Sequence, residues 1–135
     1  MRKARTDIME DIFCVHCFAI LQAGCVICPA CREKVRYLSD DESRNLLVKV
    51  LHDNRADVRS TAIFVLGRRK DRRAVDALVA CALRHPSDIN EGLQIVKVLA
   101  AIDDGAPRTT ALQYLIARHP AGEIKQAAFR ALDLH

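Results

Sequence analysis

Most of the cysteines in this chain of 135 residues and six cysteines cluster between Cys14 and Cys31. Cys14-x-x-Cys17 and Cys28-x-x-Cys31 are separated by ten residues. A Cys-x-x-Cys turn lets two sulfurs converge on one ion at about 2.3 Å, and two such turns complete a tetrahedral four-sulfur set. The chemistry predicted is one structural Zn²⁺ held by Cys14, Cys17, Cys28 and Cys31. With all four positions filled by protein, no site remains for an activated water, so the metal would stabilise rather than catalyse. Cys25 forms a further Cys-x-x-Cys with Cys28, which leaves open the quartet Cys14, Cys17, Cys25 and Cys28. Pro29 suits a tight turn between Cys28 and Cys31 and favours the first set. A thioredoxin-like redox pair needs a βαβ context that the sequence does not show. His16, inside the first turn, is expected to point away from the metal. Cys81, flanked by Ala80 and Ala82, reads as a buried small hydrophobe.

A second candidate site is basic: Arg68, Arg69, Lys70, Arg72 and Arg73. Such a run can contact phosphates or an acidic protein surface. It can equally be a solvated turn whose cations complement a helix C-terminus. The absence of interleaved aromatics argues against base stacking. Arg69, Arg72 and Arg73 are expected to be exposed, and Arg59 to be structural, linking repeats. His85-Pro86 and His119-Pro120 recur and are read as equivalent turns of a duplicated unit. Asp103-Asp104-Gly105 lacks the ligand spacing of a metal loop. With no nucleophile–base pair, phosphate-cradling glycine loop or catalytic metal motif, no catalysis is expected.

Half of the residues are hydrophobic but only 4% are aromatic, and there is no Trp. Aliphatic composition of that kind suits packed helices better than a β-sandwich. Apolar runs are too short to span a membrane, and the opening MRKARTDIMEDIF carries acids where a signal peptide needs its apolar stretch. The expectation is a soluble, cytoplasmic chain without a membrane partner. Its formal charge of +4 falls to about +2 if four thiolates bind one Zn²⁺, too mild to demand nucleic acid.

The composition changes near Leu38, which divides the chain into residues 1–37 and 38–135. Within the first part, a β-hairpin running out over Phe18–Leu21, turning at Gln22–Gly24 and returning over Cys25–Ile27 would bring the two cysteine turns together. Over residues 12–37 this stretch resembles the zinc-ribbon family, which implies a metal and a fold but no particular activity.

From Ser39 onward the chain repeats. VLHDNRADVRSTAIFVL, ALRHPSDINEGLQIVKVL and IARHPAGEIKQAAFRAL each read as a helix end, a polar break and a second helix. The anchors Val58/Ala62/Val65, Ile89/Leu93/Val96 and Ile124/Ala128/Ala131 set periods of 31 and 35 residues. Six helices are expected near 41–52, 56–68, 71–84, 88–102, 107–118 and 122–133. Asp57, Asp88 and Glu123 would favour the helix starts, and Pro86 and Pro120 would end the preceding helices. Paired helices at such periods predict a mostly α chain, a solenoid of three helical hairpins with the small hairpin module at its N-terminus. Asp57-Val58-Arg59, Leu66-Gly67 and Asp71-x-Arg73-Ala74-Val75 resemble HEAT repeats, closest to the short phycobilisome lyase-like variety. The resemblance implies that the second helices line a concave contact face and that the chain binds another protein. The module would cover the open N-terminal end of the stack. A nucleic-acid-binding accessory protein using the module and residues 68–73 is the alternative, and a lyase-like enzyme subunit is a further one.

Overall fold

In a computed structural model, residues 12–22, 24–102 and 106–133 are described. The Asp103–Gly105 loop reading falls outside them. Six helices carry the fold: α1 (Asp40–Val50), α2 (Ala56–Arg69), α3 (Val75–Arg84), α4 (Ile89–Ala101), α5 (Ala106–Arg118) and α6 (Gly122–Asp133). Ser39 starts α1 with a capping box: its hydroxyl accepts the Glu42 N–H at 3.1 Å, while the Glu42 carboxylate accepts the Ser39 N–H at 2.9 Å. The segment before α3 differs from the expected single helix. A 3₁₀ turn over Arg72–Ala74 is capped by Asp71, whose carboxylate accepts the Arg73 N–H at 3.1 Å, and only then does α3 begin. Lys70 closes α2 in the left-handed region at φ 50°, a cap conformation more often occupied by glycine.

The second helices open at Ala56, Ile89 and Gly122, a uniform spacing of 33 residues. The expected periods of 31 and 35 are therefore wrong by two residues in the middle repeat. The reason is visible in α4. Its buried face is Glu91, Gly92, Ile95, Val96 and Leu99, whereas the supposed anchor Leu93 is 39% exposed. Apolar identity alone selected Leu93, because a buried Glu and Gly do not register as core in a hydrophobic pattern. In the 33-residue register Arg59 corresponds to Gly92.

The helices form two layers. The second helices α2, α4 and α6 stack on one another, α3 stacks on α5, and each hairpin packs its own pair. One continuous core runs through them, with Leu47, Ile63, Leu66, Leu78, Ile95 and Leu112 all nearly inaccessible. Each hairpin alone would leave much of this surface exposed, so stacking itself creates the core.

The N-terminal module differs from the expected hairpin. β1 (Ile12–Phe13) pairs antiparallel with β2 (Ile20–Leu21), in register Ile12↔Leu21 and Phe13↔Ile20, and a single bridge joins Ile27 to Lys34. Each Cys-x-x-Cys turn is thus the tip of its own short hairpin. Two apolar clusters result. Cys14, Leu21, Cys28 and Val35 form the module's interior, while Phe13, with Val15 and Phe18 beside it, joins the helical core. Phe13 and Phe18 stack with centroids 6.5 Å apart.

Candidate metal centre and interaction surface

The two cysteine turns are built alike. In the first, the Cys14 N–H donates to Ala19 O at 2.9 Å and the Phe18 N–H to Cys14 O at 2.8 Å. In the second, the Cys28 N–H donates to Glu33 O at 2.9 Å and the Arg32 N–H to Cys28 O at 2.8 Å. The residue after each second cysteine takes a left-handed conformation, Phe18 at φ 66° and Arg32 at φ 70°. Non-glycine residues adopt it only where the surroundings hold them there.

This folding aims backbone N–H groups at the sulfurs. Cys14 Sγ accepts from His16 N–H at 3.4 Å, and N–H groups of Ala19, of Cys31 with Ala30, and of Glu33 face the sulfurs of Cys17, Cys28 and Cys31. Cys14 Sγ lies 3.6 Å from Cys31 Sγ, and Cys17 Sγ lies 3.7 Å from Cys28 Sγ. All four sulfurs fall within 4.8 Å of one another. A tetrahedron with metal–sulfur bonds of about 2.3 Å has edges of about 3.8 Å, whereas a disulfide would need about 2.05 Å. The cysteines are free, and the cluster is compatible with a structural metal ion. Electrostatics agrees. The Cys31 N–H, with burial opposing it, helps bring the Cys28 thiol down to about 7. At Cys31 the Glu33 N–H works in the same direction, but burial and the sulfurs of Cys14, Cys17 and Cys28 push that thiol up to about 12. Four sulfurs this close could all carry negative charge only with a cation among them.

Cys25 is outside the cluster, its Sγ directed to Ile27 O at 3.1 Å. The structure brings together the first quartet and not the alternative one. His16 is exposed, as expected.

The basic run is dispersed rather than concentrated. Arg68 lies over the Phe64 ring at 5.9 Å. Arg69, expected to be exposed, is half-buried and turns back to α1, its Nη2 donating to Asp40 O at 3.2 Å. Asp71, inside the run, pairs with Arg44 at 3.5 Å. Lys70, Arg72 and Arg73 are exposed. Acids of the adjoining helix and loop thus offset part of the positive charge.

On the second helices, Phe64, Lys97 and Arg130 occupy equivalent positions, all exposed. Ser60, Leu93 and Gln126 form the neighbouring row. Phe129, 63% exposed, is equivalent to Ile63 and Val96, which the following repeat covers to 0% and 4% exposure. On the other layer, a groove of about 590 Å³ between α3 and α5 is lined by Asp76, Val79, Leu83, Thr110, Ala111 and Tyr114. Its apolar walls carry no convergent acid–base set.

A polar network that sequence reasoning missed joins the first two repeats. Arg59, 4% exposed, places Nε 2.5 Å from Glu91 Oε1 and donates from Nη1 to Asp53 O at 2.9 Å. Its role in linking repeats holds. Cys81 is fully buried as expected, but among polar atoms: its Sγ is 3.7 Å from Leu51 O and 3.9 Å from Glu91 Oε2. Burial, then the charge of Glu91, pushes this thiol up to about 11. The two His-Pro turns are not equivalent after all. His85 is half-buried with Nδ1 3.4 Å from Glu91 Oε2, whereas His119 is fully buried, its Nδ1 accepting the Ala121 N–H at 3.0 Å. In the 33-residue register His119 corresponds to Pro86. The only available sequence signal for the network was an acid at a core position of α4.

No helix among the described residues is long and apolar enough to cross a membrane. No curated protein and no solved structure matches the chain. Residues 34–133 match the family model described as HEAT repeats. That span covers most of the chain and all six helices, and the chain belongs to the HEAT-repeat family.

Proposed function

We propose that the chain is a protein–protein interaction scaffold, stabilised by one structural Zn²⁺ and without catalysis of its own. The observation that carries this reading is the exposed face of the second helices, where Phe64, Leu93, Lys97 and Arg130 put apolar and basic side chains side by side. Rigid stacked helices hold such residues at fixed spacing, which is what recognition of a folded or extended partner uses. The mixture fits a partner surface combining acidic with apolar side chains. Zinc is the ion that best suits four thiolates at tetrahedral spacing. Held this way, the N-terminal module is a zinc ribbon, a unit too small to fold on its own apolar surface. A reducing, cytoplasmic setting is part of the reading, because the four thiols bind metal only while reduced.

Capture of partners from lysate, with and without nuclease and across a salt series, tests it. The expected result is nuclease-resistant capture that Phe64→Ser with Lys97→Glu and Arg130→Glu abolishes while the helical signal remains. Capture lost on nuclease treatment and on Arg72→Ala with Arg73→Ala would instead establish a nucleic-acid accessory role, with a shallower salt slope in the variant.

A further inference from the structure

Cys81, His85 and Glu91 lie apart from the four-cysteine centre and from the exposed face of the second helices. Cys81 and His85 are four residues apart at the end of α3, so their side chains share one helix face. Glu91, in the first turn of α4, meets them from the other side of the connecting turn. One donor atom from each, a sulfur, a ring nitrogen and a carboxylate oxygen, lies within 4.8 Å of the other two. We propose that these three residues form a second zinc site, clamping the turn between α3 and α4 and leaving the fourth coordination position to water.

The distances come close to those of a mixed donor set, and small side-chain shifts would close it. Bonds of about 2.3 Å to sulfur and about 2.0–2.2 Å to nitrogen and oxygen give tetrahedral edges of roughly 3.3–3.7 Å. Glu91 Oε2 is 3.4 Å from His85 Nδ1 and 3.9 Å from Cys81 Sγ. The carboxylate is already positioned: Arg59 takes Oε1, and the Asp88 carboxylate accepts the Glu91 N–H at 3.0 Å. Oε2 is thereby turned toward the thiol and the imidazole, as an outer partner orients a metal ligand. Access runs past His85, whose side chain is 29% exposed, while that of Glu91 is 4% exposed. On binding, the Cys81 S–H bond breaks and a zinc–sulfur bond forms, with the proton released to solvent. The imidazole binds through Nδ1 with a proton on Nε2, and the contact of Nδ1 with Cys81 O at 3.3 Å is given up on binding. Two cations stand close by, since Arg59 holds Glu91 and Arg84 donates to Leu51 O at 3.2 Å beside Cys81. The site is therefore weaker than the four-thiolate centre and empties first. Neither neighbour repeat reproduces it: the equivalent residues in the third are Tyr114, Arg118 and Ile124, of which the first two stack on each other at 5.3 Å.

The test is zinc stoichiometry of the full chain at saturating metal, for wild type, Cys81→Ser, His85→Asn and Cys25→Ser, with circular dichroism confirming that each stays helical. Cys81→Ser and His85→Asn should each bind one equivalent fewer than wild type, and Cys25→Ser should bind the same amount. With Co²⁺ in place of zinc, the equivalent lost in Cys81→Ser should carry a single-thiolate charge-transfer band. If Cys81→Ser fails to fold, His85→Asn decides, because its side chain reaches the surface. Wild-type stoichiometry in His85→Asn, or in a folded Cys81→Ser, overturns the site.

Discussion

At the junction of α2 with α4, Arg59 reaches across to Glu91. Thirty-three residues further on, at the junction of α4 with α6, the same two positions hold Gly92 and Ile124, and a Cβ on Gly92 would lie 2.6 Å from Ile124 Cδ1. One geometry is thus filled by an ion pair in one place and by an apolar side chain over a bare backbone in the other. The difference teaches where the molecule is vulnerable. A buried ion pair adds little net stability over a well-packed apolar pair, yet losing one partner strands a charge. The apolar junction has no such single point of failure, but added volume there must displace the end of the Ile124 side chain.

Removing the arginine is the sharpest way to break this contrast. Arg59→Ala should cost about 3–5 kcal/mol, read as a lowered urea midpoint without added zinc, because buried Glu91 loses its closest cation and keeps only the half-buried His85 beside it. Arg59→Met with Glu91→Leu makes the first junction apolar like the second and should recover most of that loss. A double variant as unstable as Arg59→Ala would show that the pair contributes more than charge compensation.

Metal removal probes the other end of the stack. Phe13 is 7% exposed and belongs to the helical core. Chelation, or Cys28→Ser, should disorder residues 12–37 and withdraw cover worth about 2 kcal/mol, leaving most helical circular dichroism in place. Complete loss of that signal with the metal would make the module an obligatory part of the repeat fold. Cys25→Ser should keep the four-sulfur centre.

The second junction makes a smaller demand. Gly92→Ala improves helix propensity by about 1 kcal/mol, but the collision with Ile124 costs about 1–3 kcal/mol, so a net loss near 1 kcal/mol is expected in thermal unfolding. Adding Ile124→Val should relieve it. The smallest effects belong to the basic run. Arg69→Ala should cost no more than about 1 kcal/mol through its contact with Asp40, and Arg72→Ala with Arg73→Ala should stay within about 0.5 kcal/mol of wild type.

By itself, the sequence determined the features that rest on local spacing. The paired Cys-x-x-Cys turns single out the candidate sulfurs, with Cys25 still a rival to Cys31, because each turn is a short loop whose geometry depends on few neighbours. The six helices are legible because apolar periodicity and breakers such as Pro86 and Pro120 act within one or two turns. Tertiary structure decided what depends on residues far apart in the chain. It chose Cys31 over Cys25, since only a turn at the tip of its own hairpin directs a sulfur back to Cys14. It set the 33-residue register, since Glu91 and Gly92 are core residues only in the presence of Arg59 and Ile124. And it turned Arg69 inward and placed Cys81 against Glu91, because burial and charge pairing are properties of neighbours in space, which no local pattern encodes.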